Sequence, residues 1–274
     1  MSIITISRGS YSKGKDVAQK VAERLGYQCV ARDVIIETSK EFNTPEFKLI
    51  RAIHDSPSIL EKFTHGKEKY IAYFQAALLK HLQKDNIVYH GLAGHFFVKG
   101  VSHALKIRII ADMDDRVRLE MAREKVSKEE ALRVLKNDDE ERRKWSFNLY
   151  GIDTSDVTLY DLIIHIRDIT VDDAVDIICG AVRLNRFKTT FESQKIMDNL
   201  TLAAEAKAAL VHIDLDVNVR AEDGHVYVES RAPLTEETDL EDEMKKIVST
   251  IPGAKWVHIK TIPRVKWSDG RLFP

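Results

Sequence analysis

Two kinds of apolar pattern alternate along the first 184 residues. Short, nearly continuous apolar runs predict buried strands at 3–6 and 86–90 and further strands at 106–111 and 162–166, and the segment 27–30 follows the first helix. Apolar positions at a helical period predict helices at 15–25, 33–42, 114–148 and 171–184, and a longer, mainly helical region from 45 to 82. Strands that alternate with helices predict an α/β fold in which a parallel sheet is flanked by helices.

The pattern changes after residue 184. Residues 185–197 are polar and predict a linker. The rest predicts, in order, a helix at 199–210, two strands joined by the turn Glu222-Asp223-Gly224, a helix that Thr235 would cap, and a last strand at 256–259. We therefore expect an α/β domain at 1–184, a small α+β domain of order α-β-β-α-β at 198–264 and a tail at 265–274.

Composition narrows the class of protein. Of 274 residues, 44% are hydrophobic and 31% are charged, as in soluble globular proteins. The net charge of −1 predicts no nucleic-acid partner, and no apolar run approaches the roughly 20 residues of a membrane span. Cys29 and Cys179 form neither a metal motif nor a disulfide framework. Because the N-terminus lacks a signal-peptide pattern, cytoplasm is the expected location.

The segment after the first strand carries the strongest chemical signal. It consists of Gly9, Ser10, Tyr11, Ser12, Lys13, Gly14, Lys15 and Asp16. A glycine, four residues, a second glycine and a lysine form a phosphate-binding loop when a strand precedes them and a helix follows. Backbone N–H groups of the loop and the helix N-terminus would face the phosphates, and Lys15 would reach the β- and γ-phosphates of ATP. The alternative is a Gly/Ser-rich turn before an ordinary helix.

Asp16 stands where such loops usually have a serine or threonine that binds Mg²⁺. A carboxylate also suits Mg²⁺, although it repels phosphate. Three interpretations stay open: Asp16 binds the metal directly, binds it through water, or only caps the helix.

Residues 1–182 resemble the cytidylate kinase-like family of P-loop nucleoside monophosphate kinases. The resemblance rests first on Ile4-Thr5-Ile6-Ser7-Arg8, the loop and Gly14-Lys15-Asp16-Val17-Ala18. Asp138–Trp145, Tyr150-Gly151 and Leu159–Leu162 are similar to the family's lid and the strand that follows it. The resemblance implies a P-loop kinase fold, ATP and Mg²⁺ as cofactors and a nucleotide substrate.

The resemblance also implies roles for individual residues. Lid arginines of such kinases close over the transferring phosphoryl group, which implies catalytic roles for Arg142, Arg123 and Arg143 beside Lys15. Without the resemblance, the same segment predicts a solvated helix with ion pairs between successive turns. Arg116 matches a family arginine that would serve the nucleotide or pair with a nearby acid.

Substrate binding is expected at Arg8, Arg32, Asp33 and His90. Arg32 and Asp33 fall where the family places acceptor-site residues, and the register of the family's acid, on Ala31 or Asp33, stays open. His90 replaces the first glycine of the family's Gly-Arg-Gly-like turn. It would donate to a phosphate or have a structural role.

Residues 198–264 resemble a BON-type domain. The resemblance rests on Asp223–Val228 and Pro252–Val257. It implies a small or lipid-like ligand for this part of the chain.

Three functions are therefore open. The first is ATP-dependent phosphorylation of a nucleoside monophosphate, with a cytidylate-like acceptor implied by the resemblance. The second is a regulatory protein that couples ATP binding to the C-terminal domain. The third is a kinase for an acceptor other than a nucleotide. The oligomeric state stays open and includes a homo-oligomer.

Overall fold

A computed structural model describes residues 2–9, 12–31, 66–232 and 237–263. The strands are β1 (Ile3–Arg8), β2 (Gln28–Ala31), β3 (Ile87–His90), β4 (Ala104–Ala111), β5 (Leu162–Ile166), β6 (Asn218–Glu222), β7 (His225–Ala232) and β8 (Trp256–Pro263). The helices are α1 (Gly14–Leu25), α2 (Gly66–Leu82), α3 (Gly94–Phe97), α4 (Met113–Glu124), α5 (Lys128–Tyr150), α6 (Val171–Val182), α7 (Phe191–Leu210) and α8 (Glu237–Val248).

The described residues form two compact units. The N-terminal unit holds residues 2–31 and 81–194, and the C-terminal unit holds residues 66–80 and 195–263. Within the described part of the chain, no helix is long and apolar enough to cross a membrane.

A parallel five-stranded sheet forms the centre of the N-terminal unit, as its alternating pattern predicts. The strand order in the described residues is β2-β3-β1-β4-β5. β1 is central because its run of isoleucines can be buried on both faces: Ile3, Ile4 and Ile6 are fully buried. α1 and α6 pack on one face of the sheet. Val17 and Val21 of α1 share a buried cluster there with apolar residues of α6 and with the isoleucines Ile4 and Ile6 of β1. The expected fold class is confirmed.

The charged stretch predicted as one helix at 114–148 consists of two helices. α4 ends at Glu124, and the next residue, Lys125, adopts a left-handed conformation with φ 58°. Ser127 then caps α5 by accepting a hydrogen bond from the Glu130 N–H at 3.2 Å. The break carries no glycine or proline, and the signal that marks it, Ser127 followed three residues later by Glu130, went unused in predicting the helices.

The C-terminal unit has the predicted order of elements. β6 and β7 form an antiparallel hairpin, and β8 pairs with β7 in parallel. Asp223 and Gly224 make the predicted turn with φ angles of 55° and 86°. The core of the unit joins α7 and α8 to one face of this sheet, with buried Leu210, Val228 and Met244 among its members.

Half of the segment predicted as a linker is helical. α7 begins at Phe191, because Thr190 and Ser193 cap it: the Ser193 N–H donates to Thr190 Oγ1 at 3.1 Å and the Thr190 N–H donates to Ser193 Oγ at 3.0 Å. The domain boundaries stay a prediction. The predicted helix at 33–42, the Thr235 cap and the tail at 265–274 lie outside the described residues.

Candidate active site

A pocket of about 460 Å³ lies where β1 and β4 end in the N-terminal unit. Its lining comes from the end of β1, the loop after it, the second half of β4, helices α4 and α5, and the segment before β5. The lining residues are Ser7, Arg8, Gly9, Ser12, Leu92, Arg108, Ile110, Ala111, Arg116, Asp139, Glu140, Arg142, Arg143, Thr154 and Ser155. Ligands of parallel α/β sheets bind at this edge.

The loop between β1 and α1 has a geometry that suits phosphate. Ser12 is buried, and its Oγ donates to the Gly9 carbonyl at 3.0 Å. Lys13 takes a left-handed conformation with φ 61° at the start of α1, and no side chain in the described residues caps this helix. The first-turn N–H groups of α1 therefore remain available for an anion. Ser10 and Tyr11 lie outside the described residues.

Gly14 is required by close packing. A Cβ atom at this position would lie 2.7 Å from the Cβ of Arg8, which is closer than such atoms approach each other. The second glycine of the motif thus lets the first turn of α1 pack against Arg8. Arg8 is the last residue of β1 and belongs to the lining of the pocket.

Lys15 and Asp16 are exposed in the first turn of α1 and do not belong to the pocket lining. Lys15 acts electrostatically on Cys29 of β2: burial raises the pKa of the Cys29 thiol, and the Lys15 charge opposes that rise. His90 is buried at the end of β3, opposite Ile6 of β1, and the pocket is lined by Leu92 instead. Arg32 and Asp33 lie outside the described residues.

The structure separates the three arginines expected to form a lid. Arg142 and Arg143, on α5, line the pocket. Arg123 is exposed near the end of α4, where its Nε donates to Glu124 at 2.6 Å, and it does not line the pocket. The break at 125–127 puts Arg123 and Arg142 on two different helices.

Arg116 makes a two-pronged ion pair with Asp139. Its Nη1 lies 2.8 Å from Asp139 Oδ2 and its Nη2 donates to Oδ1 at 2.9 Å. The Arg116 side chain is only 8% exposed. A Cβ atom at Gly9 would lie 3.8 Å from both partners. The pair therefore joins α4 to α5 directly beside the first glycine of the loop, and Arg116 pairs with an acid while it also lines the pocket.

Arg108 is a pocket residue that the sequence analysis missed. It projects from β4, and its Nη1 donates to the Thr154 carbonyl and to the Tyr160 hydroxyl, the latter at 3.0 Å. The Tyr160 hydroxyl in turn donates to the Thr154 carbonyl at 2.9 Å. The signal in the sequence was a charged residue inside the mainly apolar strand Ala104–Ala111, where a covered parallel strand is normally apolar.

His95 supports this arrangement as a neutral ring. It is buried, and its ring centroid lies 4.8 Å from that of Tyr160. Burial, together with the charges of Arg108 and Lys106, lowers the pKa of His95 to about 3. His95 is therefore uncharged near neutral pH and packs beside Tyr160 without adding to the local positive charge.

The charge of the pocket favours a polyanion. Its described lining includes the guanidinium groups of Arg8, Arg108, Arg116, Arg142 and Arg143, against the carboxylates of Asp139 and Glu140. Guanidinium groups match the geometry of phosphate oxygens and bind them through paired hydrogen bonds. This arrangement can hold several phosphate groups at once.

Asp16 is the candidate carboxylate for Mg²⁺ beside the phosphate-type loop, outside the pocket lining. In the described ranges, no three His, Cys, Asp or Glu side chains form a group that could hold a metal ion. Mg²⁺ at phosphate sites commonly uses one or two carboxylates, while phosphate oxygens and waters supply its other ligands. Asp16, exposed in the first turn of α1, can supply one such carboxylate.

Comparison with known proteins identifies the family. Residues 3–168 match the model of the cytidylate kinase-like family. The chain belongs to this family. Its cytidylate kinase-like part contains the loop, both helices that carry pocket arginines, and β1 to β5, and it has a P-loop kinase-like fold.

Named relatives agree with this assignment. The chain is 31% identical over 192 residues to a cytidylate kinase of Archaeoglobus fulgidus, covering 68% of this chain and 97% of the relative. It is 30% identical over 168 residues to a cytidylate kinase of Pyrococcus horikoshii, covering 60% of this chain and 79% of the relative. A crystal structure of an uncharacterized protein from Eubacterium ventriosum matches with a TM-score of 0.53 and 21% identity, covering 68% of this chain and 100% of that one. This last similarity concerns the fold alone.

Proposed function

We propose that the protein transfers the γ-phosphoryl group of ATP to a nucleoside monophosphate, with cytidylate as the favoured acceptor. The observation that carries the proposal is the pocket with five arginines next to a phosphate-type loop, in a chain of the cytidylate kinase-like family. Its relatives named cytidylate kinase support the choice of acceptor.

ATP would bind with its phosphates on the loop 9–16. The uncapped N–H groups at the start of α1 would hold phosphate oxygens, and Lys15 would place its ammonium group on the β- and γ-phosphates. Mg²⁺ would neutralise phosphate charge, with Asp16 as its protein carboxylate. Ser12, whose Oγ donates to the Gly9 carbonyl, would tie the two ends of the turn together.

The arginines of α5 would contact the phosphoryl group during its transfer. Phosphoryl transfer spreads negative charge over the equatorial oxygens in the transition state, and guanidinium groups stabilise that charge. Arg142 and Arg143 line the pocket from α5, which supports this role. The Arg116–Asp139 pair would set the position of α5 relative to the loop, because it joins α4 and α5 beside Gly9.

Arg8 and Arg108 would hold the remaining phosphate charge. Arg108 is fixed by Thr154 and Tyr160 before any ligand arrives, so little side-chain entropy is lost when a phosphate binds. Arg32 and Asp33 stay proposed acceptor contacts, and Arg123 stays a proposed catalytic residue only if α4 moves. For His90, its burial opposite Ile6 supports the structural role.

The test is formation of ADP from Mg-ATP with each of CMP, dCMP, UMP, AMP and GMP, with Lys15→Ala as the blank. Turnover that requires CMP or dCMP supports the proposal. ATP binding without turnover on any nucleotide would replace it with a regulatory role. Turnover with another phosphate acceptor alone would replace it with a kinase of a different substrate.

For the C-terminal part we propose a BON-type ligand-binding domain. The support is the order α-β-β-α-β in residues 191–263 together with the turn at Asp223-Gly224. Co-sedimentation of the protein with phospholipid vesicles tests the lipid-like ligand that this resemblance implies. Absence of the protein from the vesicle pellet would remove that ligand.

A further inference from the structure

The sheet of the C-terminal unit has one exposed face. Val219, Val226, Val228, Val257 and Ile259 point to the core with α7 and α8. Alternate residues point the other way and are exposed or half-buried. The register of β6, β7 and β8 arranges them in three rows across the sheet. The first row is Glu222, His225 and Trp256, the second is Arg220, Tyr227 and His258, and the third is Asn218, Glu229 and Lys260.

Two histidines on this face form one flat surface. His225 Nδ1 and His258 Nε2 lie 3.1 Å apart and share a hydrogen bond. The two rings are parallel within 8°, with centroids 5.4 Å apart. Because a ring N–H donates within the ring plane, parallel rings joined in this way lie edge to edge. The pair thus presents a flat surface about two rings wide.

Other planar groups stack beside this pair, so that the Tyr227 ring packs against His258 and carries the Arg220 guanidinium over its face. The Tyr227 ring lies 4.8 Å from His258 at 16°, and the Arg220 guanidinium lies 4.1 Å from the Tyr227 centroid. Trp256 lies 6.1 Å from His225 at 23° and is 60% exposed. We name these five residues, Arg220, His225, Tyr227, Trp256 and His258, the planar patch. A large exposed aromatic group of this kind is typical of a binding surface.

The charges around the planar patch differ from those of the rest of the unit. Lys260 and Arg231 continue along the same face of β8 and β7, where Glu222 and Glu229 are the acids. The acidic residues of α8 lie on the helix that packs against the opposite face. The net charge of the whole chain, which predicts no nucleic-acid partner, therefore does not describe this surface.

We propose that the planar patch binds single-stranded nucleic acid. Unpaired bases stack on Trp, Tyr and His rings and on Arg guanidinium planes, all of which this face carries. Arg220, Lys260 and Arg231 would reach the phosphates between the bases. A duplex keeps its bases stacked inside, so its bases do not match these groups. The proposal concerns the C-terminal unit and is independent of the kinase activity.

The test is fluorescence anisotropy of a labelled twelve-nucleotide RNA with the full chain. We expect binding that Trp256→Ala weakens about 5- to 150-fold, the loss of one stacked base. Ile196→Ala, which removes an exposed apolar side chain from α7, should leave it unchanged. Lys260→Ala should lower the slope of log affinity against log salt by about 0.7, and Lys246→Ala on α8 should not.

Several outcomes would overturn the proposal. These are no binding at physiological salt, equal binding of single strand and duplex, or affinity unchanged by both Trp256→Ala and Tyr227→Ala. Loss of binding on addition of Mg-ATP or in Lys15→Ala would assign the RNA to the pocket instead. Trp256-dependent vesicle binding or dimerisation, without RNA binding, would assign the patch to a lipid or to a second copy. Thermal melting checks that each variant is folded.

Discussion

The two sheets of this protein present their chemistry in different ways. In the N-terminal unit, β1 and β4 are central parallel strands, and the arginines Arg8 and Arg108 reach the pocket near the ends of these strands. In the C-terminal unit, one face of the sheet is exposed, so alternate residues of β7 and β8 carry the planar patch. The first arrangement suits a small polyanion in a pocket, and the second suits an extended ligand on an open surface.

The difference follows from how each sheet is covered. A parallel sheet with helices on its faces has no free face, so side chains with polar function concentrate where strands give way to loops. A sheet with helices on one face leaves every second side chain to the solvent. Function should therefore be sensitive to loop and lid residues in the first unit and to strand residues in the second.

The largest effect is expected from Lys15→Ala. Loss of one charged donor to phosphate should reduce CMP-dependent ADP formation by about 10²- to 10³-fold. Lys20→Ala, on the same helix, is the matched control, because Lys20 pairs with Asp172 at 2.7 Å on the surface. Steady-state rates of the two variants measure the contrast. Equal rates in both would remove the phosphate role of the loop.

Arg142→Ala comes next. A guanidinium that acts mainly in the transition state should lower kcat by about 10²-fold while KM for ATP changes little. Arg123→Ala is its control, since Arg123 lies outside the pocket lining. Complete kinetics on both variants give the comparison. An equal loss in both would show that α4 closes over the pocket as well.

Tyr160→Phe tests whether the Tyr160 hydroxyl positions the Arg108 guanidinium. Loss of one hydrogen bond to the guanidinium should lower kcat/KM about 10-fold. The effect should vanish in an Arg108→Ala background, which a double-mutant cycle measures. Tyr27→Phe, which loses a hydroxyl contact to Ser2 at 3.1 Å, is the control. Additive effects of Tyr160→Phe and Arg108→Ala would contradict a positioning role.

The smallest effect near neutral pH concerns His95. In the folded state the pKa of His95 is about 3, so its ring stays neutral until the pH falls to that value. In the unfolded state the ring binds a proton below its ordinary pKa of 6.5. The unfolded state thus holds more protons in this window, and the free energy of unfolding should fall with decreasing pH by at most about 1.4 kcal/mol per unit. Urea denaturation of the wild type and His95→Phe between pH 7 and 5 measures it. Parallel curves would contradict the assignment.

How far the sequence predicts this molecule depends on the range of the interactions involved. The strands, the phosphate loop and the hairpin at Asp223-Gly224 were predicted because each is encoded by neighbouring residues. The separation of Arg123 from Arg142 was not predicted. It follows from the break at 125–127, where Lys125 is left-handed and Ser127 caps the next helix. Arg108 was missed because its partners, Thr154 and Tyr160, come from a distant part of the chain.

The planar patch was missed for a related reason. Its rows exist only when β8 pairs in parallel with β7 in the observed register. The sequence shows His225, Tyr227, Trp256 and His258 as isolated residues in two short strands. A pairing between segments about thirty residues apart is set by the packing of both strands under α8, which no local pattern reports.

The most direct test of the central claim follows the phosphoryl group itself. ATP labelled in its γ-phosphate is incubated with the protein, Mg²⁺ and CMP, and the products are separated. The account predicts label in CDP for the wild type and a loss of that label in Lys15→Ala and Arg142→Ala. Label found only in inorganic phosphate, or in CDP to the same extent with all three proteins, would contradict it.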